Sequence, residues 1–368
     1  MTAAAAAGVA APRPLSPPRL FIPGPVEVEE EILHELARPM IGHRSSECAA
    51  LTREIRTMCG KLLRTPNPVY VLTSSATGAM EASAINFARK KVLACVNGAF
   101  SDRYGKICAS NGLEVERVEV PWGKAIRPEM VRDALRRGGF DAVTLVHNET
   151  STGVMSPLEE IAKVVAEFDD VLFLVDAVTS AAVVPIECGK LPIDALVTGS
   201  QKGLALPPGL ALLTASPRAM ERAAQKKLRG TYFDLVKFHE SWEKDQTPAT
   251  PAVSLFFALH KRLKGILADE AGWYRAHRER AELTRRWAEE RFALFPEKGY
   301  ESVSVTCIDN TRKISVADLN TFLKARGVTL SNGYKELKEK TFRIGHMGAN
   351  GIEEHRQLLA WIDEFVGK

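Results

Sequence analysis

A mostly parallel α/β sheet covered by helices on both faces, followed by a smaller α+β unit, is the fold class that three observations predict. The chain has 368 residues, more than the roughly 100–200 of one ordinary domain, and is 45% hydrophobic, so about two domains with real cores are expected. Short apolar runs recur between residues 69 and 214, and most are continuous rather than alternating, as in strands buried on both faces. Segments of helical length and composition separate them, the pattern of parallel strands joined by crossover helices.

Taken in order, residues 1–20 are Ala-rich and then Pro-rich with a first charge at Arg13. They lack the positive start and strong apolar stretch of a secretory signal and read as a flexible arm. Seven strands are expected at 69–72, 92–96, 115–120, 142–146, 171–175, 195–198 and 210–213. Between them, 78–90, 101–112, 127–137 and 157–168 suit crossover helices. After about residue 250 the character changes. Long helices are expected at 253–267 and 273–294, the second ended by Pro296, with weak strands at 302–306 and 341–344 and helices near 315–326 and 351–365. The expected division is an arm at 1–20, a large domain at 21–255 and a small C-terminal α+β domain at 256–368.

Forty-nine Lys and Arg against 45 Asp and Glu leave +4, too close to balance to mark a nucleic-acid or membrane partner. A small-molecule partner is expected instead. The six cysteines form no C-x-x-C pair and are too few for a disulfide framework, so they read as reduced thiols in a cytoplasmic protein. No apolar run reaches the roughly 18–20 residues of a membrane span, and the chain end carries no common retention or peroxisomal address. No H-E-x-x-H or other compact ligand cluster is present, and no metal site is expected.

Polar residues sit at the carboxyl ends of four strands, where ligands of such sheets gather. Strand 69–72 leads into Thr73-Ser74-Ser75-Ala76-Thr77-Gly78 and a helix. Small residues at a helix N-terminus make a phosphate cradle, although Ser and Thr are also ordinary N-caps. Strand 142–146 leads into the polar turn His147 to Gly153, where His147 alone suits a hydrogen-bonded structural role. Strand 171–175 ends in Asp176, a carboxylate that needs a cation or donors there; an N-cap or a structural ion pair would also serve. Strand 195–198 is followed by Gly199-Ser200-Gln201-Lys202-Gly203. Most lysines are surface residues, but one hemmed in by small residues is desolvated, which lowers its pKa and makes the amine nucleophilic. A phosphate cradle, a strand-end acid and a secluded lysine together are what pyridoxal phosphate needs.

These segments resemble a known family. Phe21-Ile22-Pro23-Gly24-Pro25, Gly42-His43-Arg44-Ser45, Ser74 to Glu81, His147 to Gly153, Val175 to Ser180, Gly199-Ser200-Gln201-Lys202 and Phe342-Arg343-Ile344-Gly345 are similar to the class V aminotransferases of the alanine/serine–glyoxylate (serine–pyruvate) type. The resemblance implies a fold type I enzyme dependent on pyridoxal phosphate, a homodimer with active sites shared between subunits. It implies that Lys202 forms a Schiff base with the cofactor and then moves the substrate proton, and that Asp176 pairs with the pyridine nitrogen. Ser75, Ala76, Thr77 and Gln201 would hold the phosphate, Phe100 would stack on the ring, Thr150 would bond the ring oxygen, and Thr179 would lie in the same cofactor pocket. Gln246 and Thr247 would complete the phosphate cup from the other subunit, with Thr250 as the competing choice. Gly24 lies in the segment that closes over the substrate, and Arg343 would clamp its carboxylate.

Two departures from the family pattern are Phe100, where many relatives carry Trp or Tyr, and Ala76, where some carry Gly; Ala76 is compatible if its φ is negative. The expected reaction is a ping-pong transfer of the amino group of alanine or serine to glyoxylate or pyruvate. 2-Aminoethylphosphonate–pyruvate and ureidoglycine–glyoxylate transaminases share the framework, and some relatives are companion subunits of redox complexes. Lys202, Asp176 and Arg343 together argue against a non-catalytic companion. A desulfurase would need a thiol on a mobile loop, a context no cysteine here has.

Overall fold

The computed structural model describes residues 18–367. Of the arm expected over 1–20, residues 1–17 lie outside that range, whereas Arg19–Phe21 form a strand.

All seven expected strands lie in one sheet, in the order Val69–Leu72, Ala211–Ala215, Ala195–Gly199, Leu172–Asp176, Ala142–Val146, Lys91–Val96, Glu114–Glu119. Ala211–Ala215 pairs antiparallel with both its neighbours, and the other four pairings are parallel. The continuous apolar runs explain the interior position of most strands: every residue of Ala142–Val146, Leu172–Asp176 and Ala195–Gly199 is buried. Glu114–Glu119 is mostly charged and only partly buried instead and forms an edge. Lys91 bridges its Glu114 and Glu116 at 3.3 and 3.0 Å, and a charged edge resists pairing with another chain.

The helices Ala76–Phe87, Ala99–Ser110, Pro128–Leu135 and Leu158–Val165 fall where crossovers were expected. Each follows a strand, so each helix start faces the carboxyl ends of the sheet. Pairing sets the depth of those ends. Asp176 lies opposite Val146 on one side and Val197 on the other, while Leu72 and Gly199 both lie opposite Ala211. The starts of the loops that carry Ser75–Thr77, His147–Gly153, Asp176–Thr179 and Gln201–Lys202 are therefore brought to one rim.

A second sheet has the order Arg19–Phe21, Val328–Asn332, Thr341–Gly345, Val305–Asp309, Ala293–Leu294. Its core joins Phe21, Ile308, Val328, Leu330, Phe342 and Ile344 to Trp287, Leu319, Leu323, Leu358 and Ile362 from three helices. The helix Val253–Ala268 packs elsewhere. Its Phe256, Leu259, Leu263 and Ile266 belong to the core of the large sheet, although 256 is where the smaller domain was expected to start. The next helix, Glu270–Arg291, spans the two cores, with Trp273 against the first and Trp287 in the second. It ends at Arg291 rather than at Pro296, because Ala293–Leu294 pairs with Ile308 and Asp309. Among the described residues no helix is long and apolar enough to cross a membrane.

Candidate active site

A cavity of about 230 Å³ opens at the rim, walled by Gly24, Ser75, Ala76, Thr77, Phe100, Thr150, Asp176, Thr179, Gln201 and Lys202. Ten of the expected site residues thus meet in one place. Met80, Arg103, Val146, Asn148, Val178 and Tyr334 complete the wall.

Lys202 follows the strand Ala195–Gly199, and its Nζ donates to the carbonyl oxygen of Pro23 at 2.5 Å. Burial pushes its pKa down to about 8, helped by the positive charges of Arg343 and Arg103 and opposed by the negative charge of Asp176. Gly24 holds the segment above this amine. Its φ is +122°, and a Cβ there would come within 2.5 Å of Lys202 Nζ and 2.6 Å of Cδ. Only glycine lets the backbone pass so close in that conformation.

Asp176 is 3% exposed. Burial pushes its pKa up to about 7; the Val178 amide, donating at 2.7 Å, pulls the other way, and the nearby Glu149 adds to the rise. Among the described residues no cation forms an ion pair with Asp176, so the ion-pair alternative does not account for it, whereas one carboxylate oxygen does accept from the Val178 amide at the start of the next turn. Thr179 is buried: its hydroxyl donates to the Asn148 carbonyl at 2.9 Å and accepts from Asn148 Nδ2 at 2.7 Å.

The helix Ala76–Phe87 begins at the cavity. Ser75 is its N-cap but makes no side-chain cap, which leaves the first amides to another acceptor. Ala76 stays out of the left-handed region, so the substitution for Gly costs nothing in backbone conformation. Gln201 adjoins this helix start, since a Cβ on Gly199 would lie 3.0 Å from Gln201 Oε1 and 3.1 Å from Ala76 Cβ. The Gln201 oxygen is buried without a hydrogen-bond partner. Uncapped amides, a side-chain amide with free capacity, an isolated buried carboxylate and a desolvated amine fit the phosphate, the ring nitrogen and the aldehyde of pyridoxal phosphate. The residues present fit that group.

Phe100 lies at the start of the helix Ala99–Ser110, whose N-cap, Gly98, has no side chain to offer. Glu149 caps it from a distance. One carboxylate oxygen accepts from the amides of Phe100 and Ser101 at 3.0 and 2.9 Å and the other from Ser151 N at 3.1 Å, so Phe100 and the turn bearing Thr150 are tied together. The Phe100 ring faces Tyr334 with centroids 5.5 Å apart.

Arg343 is close to the cavity without forming its wall. Its Nη1 donates to Thr150 O at 3.1 Å, and its Nε and Nη2 donate to Asn332 O at 3.3 and 3.1 Å. The Tyr334 ring lies 5.5 Å from its guanidinium carbon. Gln246 and Thr247 are not in the wall formed by this chain; Arg44 donates to Gln246 Oε1 at 3.0 Å and to Thr247 O at 2.8 Å. Thr250 is exposed. His147 is buried and pushed down to about 4, hence neutral. All six cysteines are free and buried, and none lines the cavity.

The model of the aminotransferase class-V family matches residues 27–348. A soluble hydrogenase small subunit of Synechococcus sp. is 37% identical over 350 residues, 93% of this chain and 90% of that protein. An L-aspartate–glyoxylate aminotransferase of Paracoccus denitrificans is 32% identical over 343 residues, 90% of this chain and 86% of that one. Among solved structures, an alanine–glyoxylate aminotransferase of Nostoc sp. superposes with a TM-score of 0.92 at 28% identity, covering 97% of each chain. The family match covers nearly all of the described chain, including every strand end that walls the cavity, and this chain belongs to the class V aminotransferases, enzymes that depend on pyridoxal phosphate.

Proposed function

We propose that the protein transfers the amino group of a small amino acid, alanine or serine, to glyoxylate or pyruvate in a ping-pong cycle. The observation that carries this reading is the convergence of Lys202, Asp176 and the uncapped helix start at Ser75–Thr77 on one cavity. Likeness to the Nostoc alanine–glyoxylate enzyme supports the choice of substrates.

Bound pyridoxal phosphate supplies an electron-accepting ring that holds the amino group between the two half-reactions. Lys202 would attach it, and the low pKa of the amine leaves a large neutral fraction at mildly alkaline pH. The same Nζ, when free, would be the group that takes the proton from the substrate α-carbon and returns it on the way back. Asp176 would pair with the ring nitrogen, whose positive charge would compensate a carboxylate that no cation among the described residues pairs. Ser75, Ala76, Thr77 and Gln201 would hold the phosphate, Phe100 would pack on the ring, and Thr150 would bond the ring oxygen with Thr179 in the same pocket. Gly24 and the Pro23 carbonyl close over the lysine and exclude water. Arg343 clamps the α-carboxylate after turning from its carbonyl partners; its planar fork suits that group.

A homodimer with shared sites accounts for Gln246 and Thr247, which complete the phosphate cup of the other subunit. Exposed Met40, 67% accessible, and exposed Arg44, which bonds Gln246 and Thr247, are the surface such a partner would cover. A cytoplasmic location accords with six unpaired thiols. Activity measured with alanine, serine, aspartate, 2-aminoethylphosphonate and ureidoglycine, each against glyoxylate and pyruvate, tests the substrate assignment. Best turnover with alanine or serine supports it. Best turnover with the phosphonate or with ureidoglycine replaces it, and none with any pair restores the non-catalytic companion reading.

A further inference from the structure

Two alanines behind Asp176 and Lys202 hold a backbone conformation that alanine disfavours. Ala182, six residues after Asp176, has φ +60°, and Ala205, three residues after Lys202, has φ +48°. Both are buried. A Cβ makes the left-handed region uphill, so neither conformation persists unless its surroundings impose it. Ala205 N donates to the Lys202 carbonyl at 2.8 Å, and Val183 and Val184 N donate to the Ser180 carbonyl at 3.0 and 2.9 Å. These bonds close the two turns but leave the carbonyls of Ala182 and Ala205 themselves to other donors.

One pair of side chains supplies both donors. Trp273 Nε1 donates to Ala182 O at 2.7 Å, and Arg262 Nη2 donates to Ala205 O at 3.3 Å. The guanidinium carbon of Arg262 lies 5.2 Å from the centre of the Trp273 ring, so the donors act as a unit although they come from successive helices, Val253–Ala268 and Glu270–Arg291. The loops they hold are themselves in contact: a Cβ on Gly203 would fall 2.4 Å from Ala181 O and 3.2 Å from Ala182 C. A third connection runs to the segment over Lys202. Arg262 Nη1 is 3.0 Å from a carboxylate oxygen of Glu29, five residues after Gly24, and Val26 packs with Val183 and Ala205. Arg262 is 4% exposed and its Nε is buried without a partner. An apolar side chain would fill this place without that desolvation cost. Neither Arg262 nor Trp273 belongs to the cavity wall, so any service they give the site passes through the three segments they hold.

We propose that Arg262, stacked on Trp273, is a positioning residue that holds the Lys202 loop, the Asp176 loop and the Gly24 segment in one register without touching substrate or cofactor. The inference rests on the roles given above to Lys202 and Asp176. The fork of Arg262 reaches Ala205 O and Glu29 at once, which a lysine ammonium at the same place cannot do while lying flat on the Trp273 ring.

The test is amide hydrogen exchange on the purified full chain without cofactor, followed over residues 177–184 and 200–206, with the strand Lys91–Val96 as internal control. Arg262→Lys and Trp273→Phe both keep the net charge. Each is expected to exchange about tenfold faster than the wild type in both loops, the order of one hydrogen bond lost from a buried carbonyl, with the control unchanged. Adding Ala182→Gly to Trp273→Phe should recover part of the protection, because glycine adopts φ +60° unaided; a simple loss of packing would not be rescued there. The midpoint pH for uptake of pyridoxal phosphate should also rise in both variants, from about 8 toward the ordinary 10.5 of lysine, as the loosened loop admits water to Lys202. Unchanged exchange in the loops, or acceleration spread evenly over loops and control, overturns the proposal. If Arg262→Lys fails to fold, Trp273→Phe with and without Ala182→Gly decides alone. Should exchange be unaltered while alanine still changes the cofactor spectrum, the transaminase reading stands and only the brace falls. A wild type whose cofactor spectrum responds to no amino donor refutes that reading, and the exchange rates still decide whether the brace exists.

Discussion

Replacing Asp176 by Asn separates what this residue costs the protein without cofactor from what it gives with it. A carboxyl moved from its ordinary 3.8 to about 7 by burial carries a penalty on its ionised form of ~4 kcal/mol, at ~1.4 kcal/mol for each tenfold change in affinity for the proton. Between those two pH values the folded protein keeps a proton that the unfolded chain has lost, so the stability of the cofactor-free wild type falls as pH rises through that window and then levels off above pH 7. Asparagine has the same shape, still accepts from the Val178 amide and does not titrate. Its extra N–H needs an acceptor, at a cost of about 1 kcal/mol that does not vary with pH. Unfolding of cofactor-free wild type and Asp176→Asn by urea at pH 5 and pH 8 should therefore show the variant gaining ~2–3 kcal/mol on the wild type between the two pH values. On adding pyridoxal phosphate the order reverses, because the variant has no charge to pair with the ring nitrogen. A difference in stability that is the same at pH 5 and pH 8 would refute the isolated, raised carboxyl on which the role of Asp176 rests.

Gly24→Ala puts a Cβ within 2.5 Å of Lys202 Nζ at φ +122°. The expected cost is about 1–3 kcal/mol in thermal or urea unfolding together with slower cofactor uptake; unchanged stability and uptake would mean that the segment does not press on the lysine. Uptake of pyridoxal phosphate by the cofactor-free protein should quicken as pH rises through about 8, the pKa to which burial lowers Lys202, and a transition near the ordinary 10.5 would contradict the desolvated amine. Arg343→Lys exchanges a fork for a point charge. It should raise the KM for alanine and glyoxylate by tenfold or more with a smaller effect on kcat, and unaltered KM values would remove Arg343 from substrate binding.

The large sheet was legible because its strands are continuous apolar runs whose neighbours on both faces are helices. The exception, Glu114–Glu119, carries four charged residues in six, as an edge strand can. The second sheet was legible only in part. Arg19–Phe21, Val328–Asn332 and Ala293–Leu294 are short, and Arg19 pairs with Val328 from the far end of the chain, a tertiary choice that local composition does not encode. The packing of Val253–Ala268 on the first core was hidden for the same reason, since an apolar helix face does not say which sheet it meets.

At the site, Lys202 and Asp176 stood out because a charge at the end of a buried strand is anomalous in any sequence. Asn148, Glu149, Arg103 and Tyr334 did not. Asn148 and Glu149 lie inside a polar turn already noted, and their burial was the missing fact. Arg103 looks like any surface arginine on a helix. Its one signal was position, three residues beyond Phe100 and hence on the same helix face. Tyr334 lies in the loop between Val328–Asn332 and Thr341–Gly345, where only the three-dimensional return of that loop brings it to the cavity.

The most direct test of the central claim is the visible absorption spectrum of the purified protein with pyridoxal phosphate, before and after an amino donor is added, in the wild type and in Lys202→Ala. The wild type should show the absorption of a lysine-bound cofactor and lose it on addition of the donor, and glyoxylate or pyruvate should restore it. Lys202→Ala should show only the spectrum of free cofactor and no steady turnover. A Lys202→Ala protein that keeps the wild-type spectrum and substantial turnover would place the reacting lysine elsewhere and contradict the account.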